Sequence, residues 1–200
     1  MKKILLMVVA AMMATVSVKA QHREGMSSIQ PRVGITVSTL LGDDDAKSKV
    51  NFTYGAEGEY FITDQFSVAG GVLFTTQGAK YSTPDNYTMN IYYTAVPITA
   101  NYYVLPGLAL KAGIQPAYRL NTKVEENGER IDLDKALLLL FEDDDVKLNR
   151  FDLSFPVGLS YNLLCFVLDA RYNFGVTNIF KGLDDHMRNS SFVVTLGVRL

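Results

Sequence analysis

The chain has 200 residues, with 19 lysines and arginines against 21 aspartates and glutamates, a net charge of −2, 48% hydrophobic residues and a single cysteine. A near-neutral charge without a basic patch argues against nucleic acid as a partner, and one cysteine leaves no disulfide framework. Beyond residue 20 no apolar run approaches the roughly 20 residues of a spanning helix, which excludes a helical membrane protein.

Met1-Lys2-Lys3, the apolar run Ile4 to Val18 and the Val18-Lys19-Ala20 junction predict a signal peptide over residues 1–20, cut after Ala20. Residues 21–200 are then one exported domain, read throughout as short strands of alternating polarity.

Arg32 to Leu40 sets Val33, Ile35 and Val37 against Gly34, Thr36 and Ser38. After a polar segment, Asn51 to Phe61 sets Phe52, Tyr54, Ala56 and Tyr60 against Thr53, Gly55, Glu57 and Glu59. A tight turn at Ile62 to Gln65 leads into strand three, Phe66 toward Lys80, and a second polar loop, Tyr81 to Tyr87, into strand four, about Asn90 to Val104. Leu105-Pro106-Gly107 turns into strand five, Leu108 to Leu120, and Asn121 to Asn149 forms a long charged insertion. Strand six, Arg150 to Tyr161, turns at Asn162-Leu163-Leu164 into strand seven, Cys165 to Gly175, where Phe166, Leu168, Ala170 and Tyr172 oppose Asp169, Arg171 and Asn173. A last loop, Val176 to Asn189, precedes Ser191 to Leu200.

These eight strands are joined alternately by long polar loops and tight turns. That sorting is expected of a transmembrane barrel, with short periplasmic turns and long extracellular loops. A soluble sandwich has no reason for it. The expected fold is therefore all-β, an eight-stranded antiparallel transmembrane β-barrel in a bacterial outer membrane with both termini periplasmic. Two aromatic girdles are expected: Tyr60, Phe61, Phe66, Tyr102, Tyr103, Tyr161 and Phe166 beside the turns, and Phe52, Tyr54, Tyr81, Tyr92, Tyr93, Tyr118, Phe151, Phe174 and Phe192 near the loops. Pro97, Pro116 and Pro156 fall inside strands four, five and six, which predicts local bulges there.

Val33-Gly34-Ile35, Gln77-Gly78-Ala79-Lys80, Val96-Pro97 and above all the run from Asp169 to Ile179 resemble the small outer-membrane β-barrel family often labelled PorT-like, over essentially the whole mature chain. The resemblance implies architecture more than activity. It implies outer-membrane lipids and the barrel-assembly machinery as partners; members of that family typically end on an aromatic residue, where this chain has Leu200.

Glu57, Glu59, Lys111, Arg119, Asp152, Asp169, Arg171 and Arg199 all fall on the polar parity. An eight-stranded barrel is only wide enough for its side chains to fill, so these charges are expected to interlock as a lumen network that plugs the barrel. A narrow polar pore or proton path is the alternative. For catalysis, His186 with Ser190 or Ser191 is the sole candidate pair, since the other histidine, His22, lies just past the cleavage site; no nucleophile motif surrounds it, and no enzyme is expected. Asp43-Asp44-Asp45 and Asp143-Asp144-Asp145 lack EF-hand spacing and are read as solvated loop charge, so no metal or cofactor is expected. Leu137, Leu138, Leu139, Leu140 and Phe141 form an apolar run in the third long loop, a candidate interaction site for an extracellular protein partner.

The expected role is non-enzymatic, structural or surface-interacting through the extracellular loops. A soluble lipocalin-like barrel with an apolar ligand inside is the main rival. It requires Phe166, Leu168 and Tyr172 inward and Asp169 and Arg171 outward. A lipid-modifying barrel enzyme is the third reading.

Overall fold

The computed structural model describes residues 24–41, 46–81, 87–126, 129–132, 147–178, 180–181 and 188–200. The expected signal peptide, His22, His186, both aspartate triplets and the Leu137 to Phe141 run lie outside the described residues.

Eight long strands form the wall: β1 (Ser27–Leu41), β2 (Lys49–Phe61), β3 (Phe66–Gln77), β4 in two segments (Tyr87–Ala95 and Ile98–Leu105), β5 (Leu108–Glu126), β6 (Phe151–Leu163), β7 (Phe166–Asn178) and β8 (Arg188–Val198). Each pairs antiparallel with its sequence neighbours, and β1 pairs with β8 from Arg32↔Gly197 to Leu41↔Arg188, so the sheet closes on itself. Closure leaves no edge strand, as spanning a bilayer with strands requires.

The closed sheet puts polar residues inside. Among the described residues, buried polar side chains far outnumber buried apolar ones, while Ile29, Phe52, Val157, Leu168 and Leu196 stand exposed on the outer wall. Leu168 is 51% exposed whereas Asp169 and Arg171 are 0% and 2% exposed. That orientation is the reverse of what a lipocalin-like barrel requires, so the apolar face is the lipid face.

Several boundaries differ from the sequence reading. β1 begins at Ser27 rather than Arg32, which carries Ser28 and Gln30 into the lumen. β5 runs on to Glu126, and Lys123 to Glu126 pair with Glu129–Asp132, so the long insertion opens as a hairpin above the barrel. Polar residues at strand ends look like loop in sequence, but here they extend a ladder already nucleated below.

The expected proline bulges do not form. β4 breaks at Val96 and Pro97, yet Ala95 and Ile98 share one register against Leu73 and Gly70, so no residue is inserted. Pro116 pairs with Leu153 and Pro156 with Asn173 in unshifted ladders. An antiparallel residue directs its N–H toward one neighbour only, so each proline costs one bond and its carbonyl still accepts: Val96 N donates to Pro116 O at 2.8 Å and Gly71 N to Pro97 O at 3.2 Å. A register shift lies instead where Tyr92 and Tyr93 face Asn121 and Arg119. Leu120 is the extra residue, and it moves the inward parity of β5 from Arg119 to Thr122.

The aromatic girdles also need correction. Tyr60, Tyr102, Tyr161, Phe52, Tyr54, Tyr118, Phe151, Phe174 and Phe192 face outward, but Phe61, Tyr93 and Tyr103 are buried inside. Each of the three sits on the inward parity of its strand, and parity outranks residue type in deciding which face a side chain occupies.

Candidate functional site

The lumen is filled in three tiers. In the middle tier β1 supplies Arg32, β2 Glu57, β5 Lys111, and β7 both Asp169 and Arg171, all at most 5% exposed. Residues two apart on a strand share a face, so the Asp169–Arg171 spacing presents an anion and a cation together. Asp169 receives Lys111 Nζ at 2.6 Å, Arg171 Nε at 2.7 Å and Arg32 Nη1 at 3.2 Å. Glu57 faces Arg171 Nη2 at 2.5 Å, Arg32 Nη2 at 3.3 Å and Lys111 Nζ at 3.6 Å. Three cations thus enclose two carboxylates: every cation contacts both carboxylates, and each carboxylate contacts all three cations. Charges this deeply buried persist only when so compensated.

The tier at the tight-turn end centres on Glu59. Its Oε1 accepts from Ser67 at 2.6 Å, Tyr103 at 2.7 Å and Asn101 at 3.1 Å, and its Oε2 from Gln30 and Arg199, both at 2.8 Å. The Arg199 guanidinium also lies over the Phe61 ring, 5.6 Å from its centroid. Gln30 links the two tiers, because its Oε1 accepts from Arg32 Nη2 at 2.5 Å. In the tier at the long-loop end Arg119 donates to Thr122 Oγ1 at 2.9 Å and to the Asn149 carbonyl at 3.1 Å. Asp152 accepts from Thr177 and, at 3.3 Å, from Asn189, which also donates to Tyr93 Oη at 2.9 Å.

All eight charges singled out in the sequence point inward. The structure gathers Glu57, Lys111, Asp169 and Arg171 into one cluster, sets Glu59 with Arg199, and places Arg119 and Asp152 near the loops. Arg32, Gln30 and Asn101 are not singled out by the sequence reading, and Tyr103 is expected there in a girdle rather than in the lumen. Arg32 shares its parity with Gly34, Thr36 and Ser38, which is the signal that would have found it.

Ser190 pairs with the Tyr172 hydroxyl and Ser191 accepts from Asn173 at 3.1 Å, so both serines proposed as partners of His186 are engaged with lumen side chains. No group of three metal-ligand side chains occurs among the described residues.

A closed eight-stranded wall, apolar outside and ionically packed within, defines a transmembrane β-barrel. The family model described as "outer membrane protein beta-barrel domain" matches residues 19–181, and the chain belongs to that family, which places it in the outer membrane. Among solved structures it is similar to Ail, the attachment invasion locus protein of Yersinia pestis, at 19% identity over 88% of this chain and 99% of that one, with a TM-score of 0.53. It is also similar to Neisserial surface protein A, at 12% identity over 88% and 99% of the two chains, with a TM-score of 0.57. A second structure of Ail, in complex with the heparin analogue sucrose octasulfate, matches at 18% identity over the same shares, with a TM-score of 0.52. These likenesses concern the fold. None of the curated proteins matches the chain.

Proposed function

We propose that this protein is a non-enzymatic component of the outer membrane whose barrel is a closed support and whose extracellular loops carry its interactions. The observation that bears most weight is the middle tier, where Arg32, Lys111 and Arg171 cross the lumen to Glu57 and Asp169 at 2.5 to 3.6 Å. In a barrel whose interior holds little more than its own side chains, such a cluster obstructs solute passage. Both termini lie in the periplasm, residues 1–20 are removed on export, and the barrel-assembly machinery inserts the remainder.

Two measurements test this reading. The mature protein reconstituted in planar bilayers gives no steady conductance steps; stable ohmic steps from the wild type would show an open lumen. Deleting residues 135–142 leaves heat-modifiable migration unchanged and abolishes surface cross-linking to an extracellular protein on intact cells. Failure of the deletion variant to assemble would make that segment structural rather than a contact site.

A further inference from the structure

The hydrocarbon-facing wall is indented where four strands run side by side. Ile29 of β1, Gly58 of β2, Gly70 of β3 and Ile98 of β4 stand in one lateral row, in the register Ile29↔Gly58, Gly58↔Gly70 and Gly70↔Ile98. All four are on the outward parity. The two adjacent glycines leave a trough of about 470 Å³ between the isoleucines, bounded toward the tight turns by Ser27, Tyr60 and Val68.

The backbone does not require glycine at either position. Neither residue has a positive φ, and a Cβ would have no neighbour nearer than 3.8 Å at Gly58 or 3.6 Å at Gly70. Gly71 is different, since a Cβ there would lie 2.2 Å from the Ala56 carbonyl oxygen. Glycine weakens a strand by leaving nothing to pack, so what Gly58 and Gly70 provide is the empty space itself.

With the tight turns in the periplasm, as proposed above, we propose that this trough holds one acyl chain of a phospholipid of the periplasmic leaflet, with the headgroup beside Ser27 and Tyr60. The trough opens onto the apolar band that faces hydrocarbon, so acyl chains are the medium at its mouth. Its polarity runs the same way as a lipid's, from the Ser27 and Tyr60 hydroxyls, in the row nearest the turn, to Ile29 and Ile98 in the next row inward. Within a bilayer there is no hydrophobic gain on association, and contact area decides which groups stay together; a concave wall gives a chain more dispersion contacts than neighbouring lipid does. A second barrel is the weaker fit, because a stable protein interface needs on the order of 1,200–2,000 Å² and the trough is a local hollow.

Native mass spectrometry tests the assignment on the full protein extracted in detergent with phosphatidylethanolamine and phosphatidylglycerol. The wild type retains one phospholipid, and Gly58→Leu/Gly70→Leu lowers the lipid-bound fraction by roughly tenfold, a change of about 1.4 kcal/mol, with heat-modifiable migration unchanged. Val157→Leu, on another part of the outer wall, leaves retention as it was. If the leucine pair fails to assemble, Gly58→Ala/Gly70→Ala, which the open space accommodates, is read the same way and shows a smaller loss. Equal retention by the filled variants would overturn the proposal. So would a wild-type dimer that those variants abolish, which would make the occupant a second copy.

Discussion

Replacing Asp169 with alanine removes the carboxylate that receives Lys111, Arg171 and Arg32 at 2.6, 2.7 and 3.2 Å. Three cations, each buried, are then left with Glu57 alone. Removing one partner of a buried ion pair costs about 3–5 kcal/mol, and because three cations share Asp169 the upper part of that range applies. With a urea dependence of about 2 kcal/mol per molar, the unfolding midpoint falls by about 2 M. Urea titration of the barrel folded in liposomes, read from the heat-modifiable band on unheated gels, measures this directly. Asp169→Ala/Lys111→Met removes one charge of each sign, restores the original excess of cations over anions, and regains more than half of the loss. A single variant within about 0.5 kcal/mol of the wild type, the range of ordinary surface substitutions, would show that water screens the cluster and would refute the packed-lumen argument.

Three further outcomes follow from other parts of the wall. Gly158→Ala places a Cβ 2.3 Å from the Ala170 carbonyl oxygen and 2.7 Å from Arg171 Cα, so β6 and β7 must separate at a cost of about 1–3 kcal/mol, seen as a lower urea midpoint. Val157→Arg sets a charge on the lipid face at the middle of β6 and costs about 2–4 kcal/mol, measured by the same titration; no effect would mean that this face is not in hydrocarbon. Cys165, part-exposed at the turn between β6 and β7, reacts with a membrane-impermeant maleimide only after the outer membrane is permeabilised, and labelling of intact cells would reverse the topology.

The fold was legible because two signals agreed along the whole chain. Strict alternation fixes which residues share a face, and the sorting of loops by length tells a membrane barrel from a sandwich, so Leu168 and Asp169 could be placed on opposite faces. What escaped was local. Tyr93 and Tyr103 were assigned to girdles by residue type, although Thr99 and Asn101 on the same parity marked that face as inward. Arg32 stands at the start of the strand that the alternation predicts, and a terminal charge reads as solvated until the ladder is seen to start at Ser27. The partners of each charge were out of reach of sequence altogether. The Arg171–Glu57 contact joins residues 114 apart in the chain, and it depends on how strands on different parts of the wall are staggered.

That stagger also explains why the lumen is ionic. Lipid chains contact one apolar face much as they contact another, so the outer wall does little to hold one strand pairing over its neighbours. Inside, a slip of one residue would turn Asp169 and Arg171 into hydrocarbon. A slip of two keeps parity but separates the specific pairs: moving β7 by two places against β2 and β5 would set Arg171 or Val167 where Asp169 now meets Lys111. The close approaches act in the same direction, since shifting β6 by two would bring Pro156 or Ser160 to the place beside Arg171 where only Gly158 has room. The charge network on β1, β2, β5 and β7 and the tight glycine contacts together select a single register for the closed sheet.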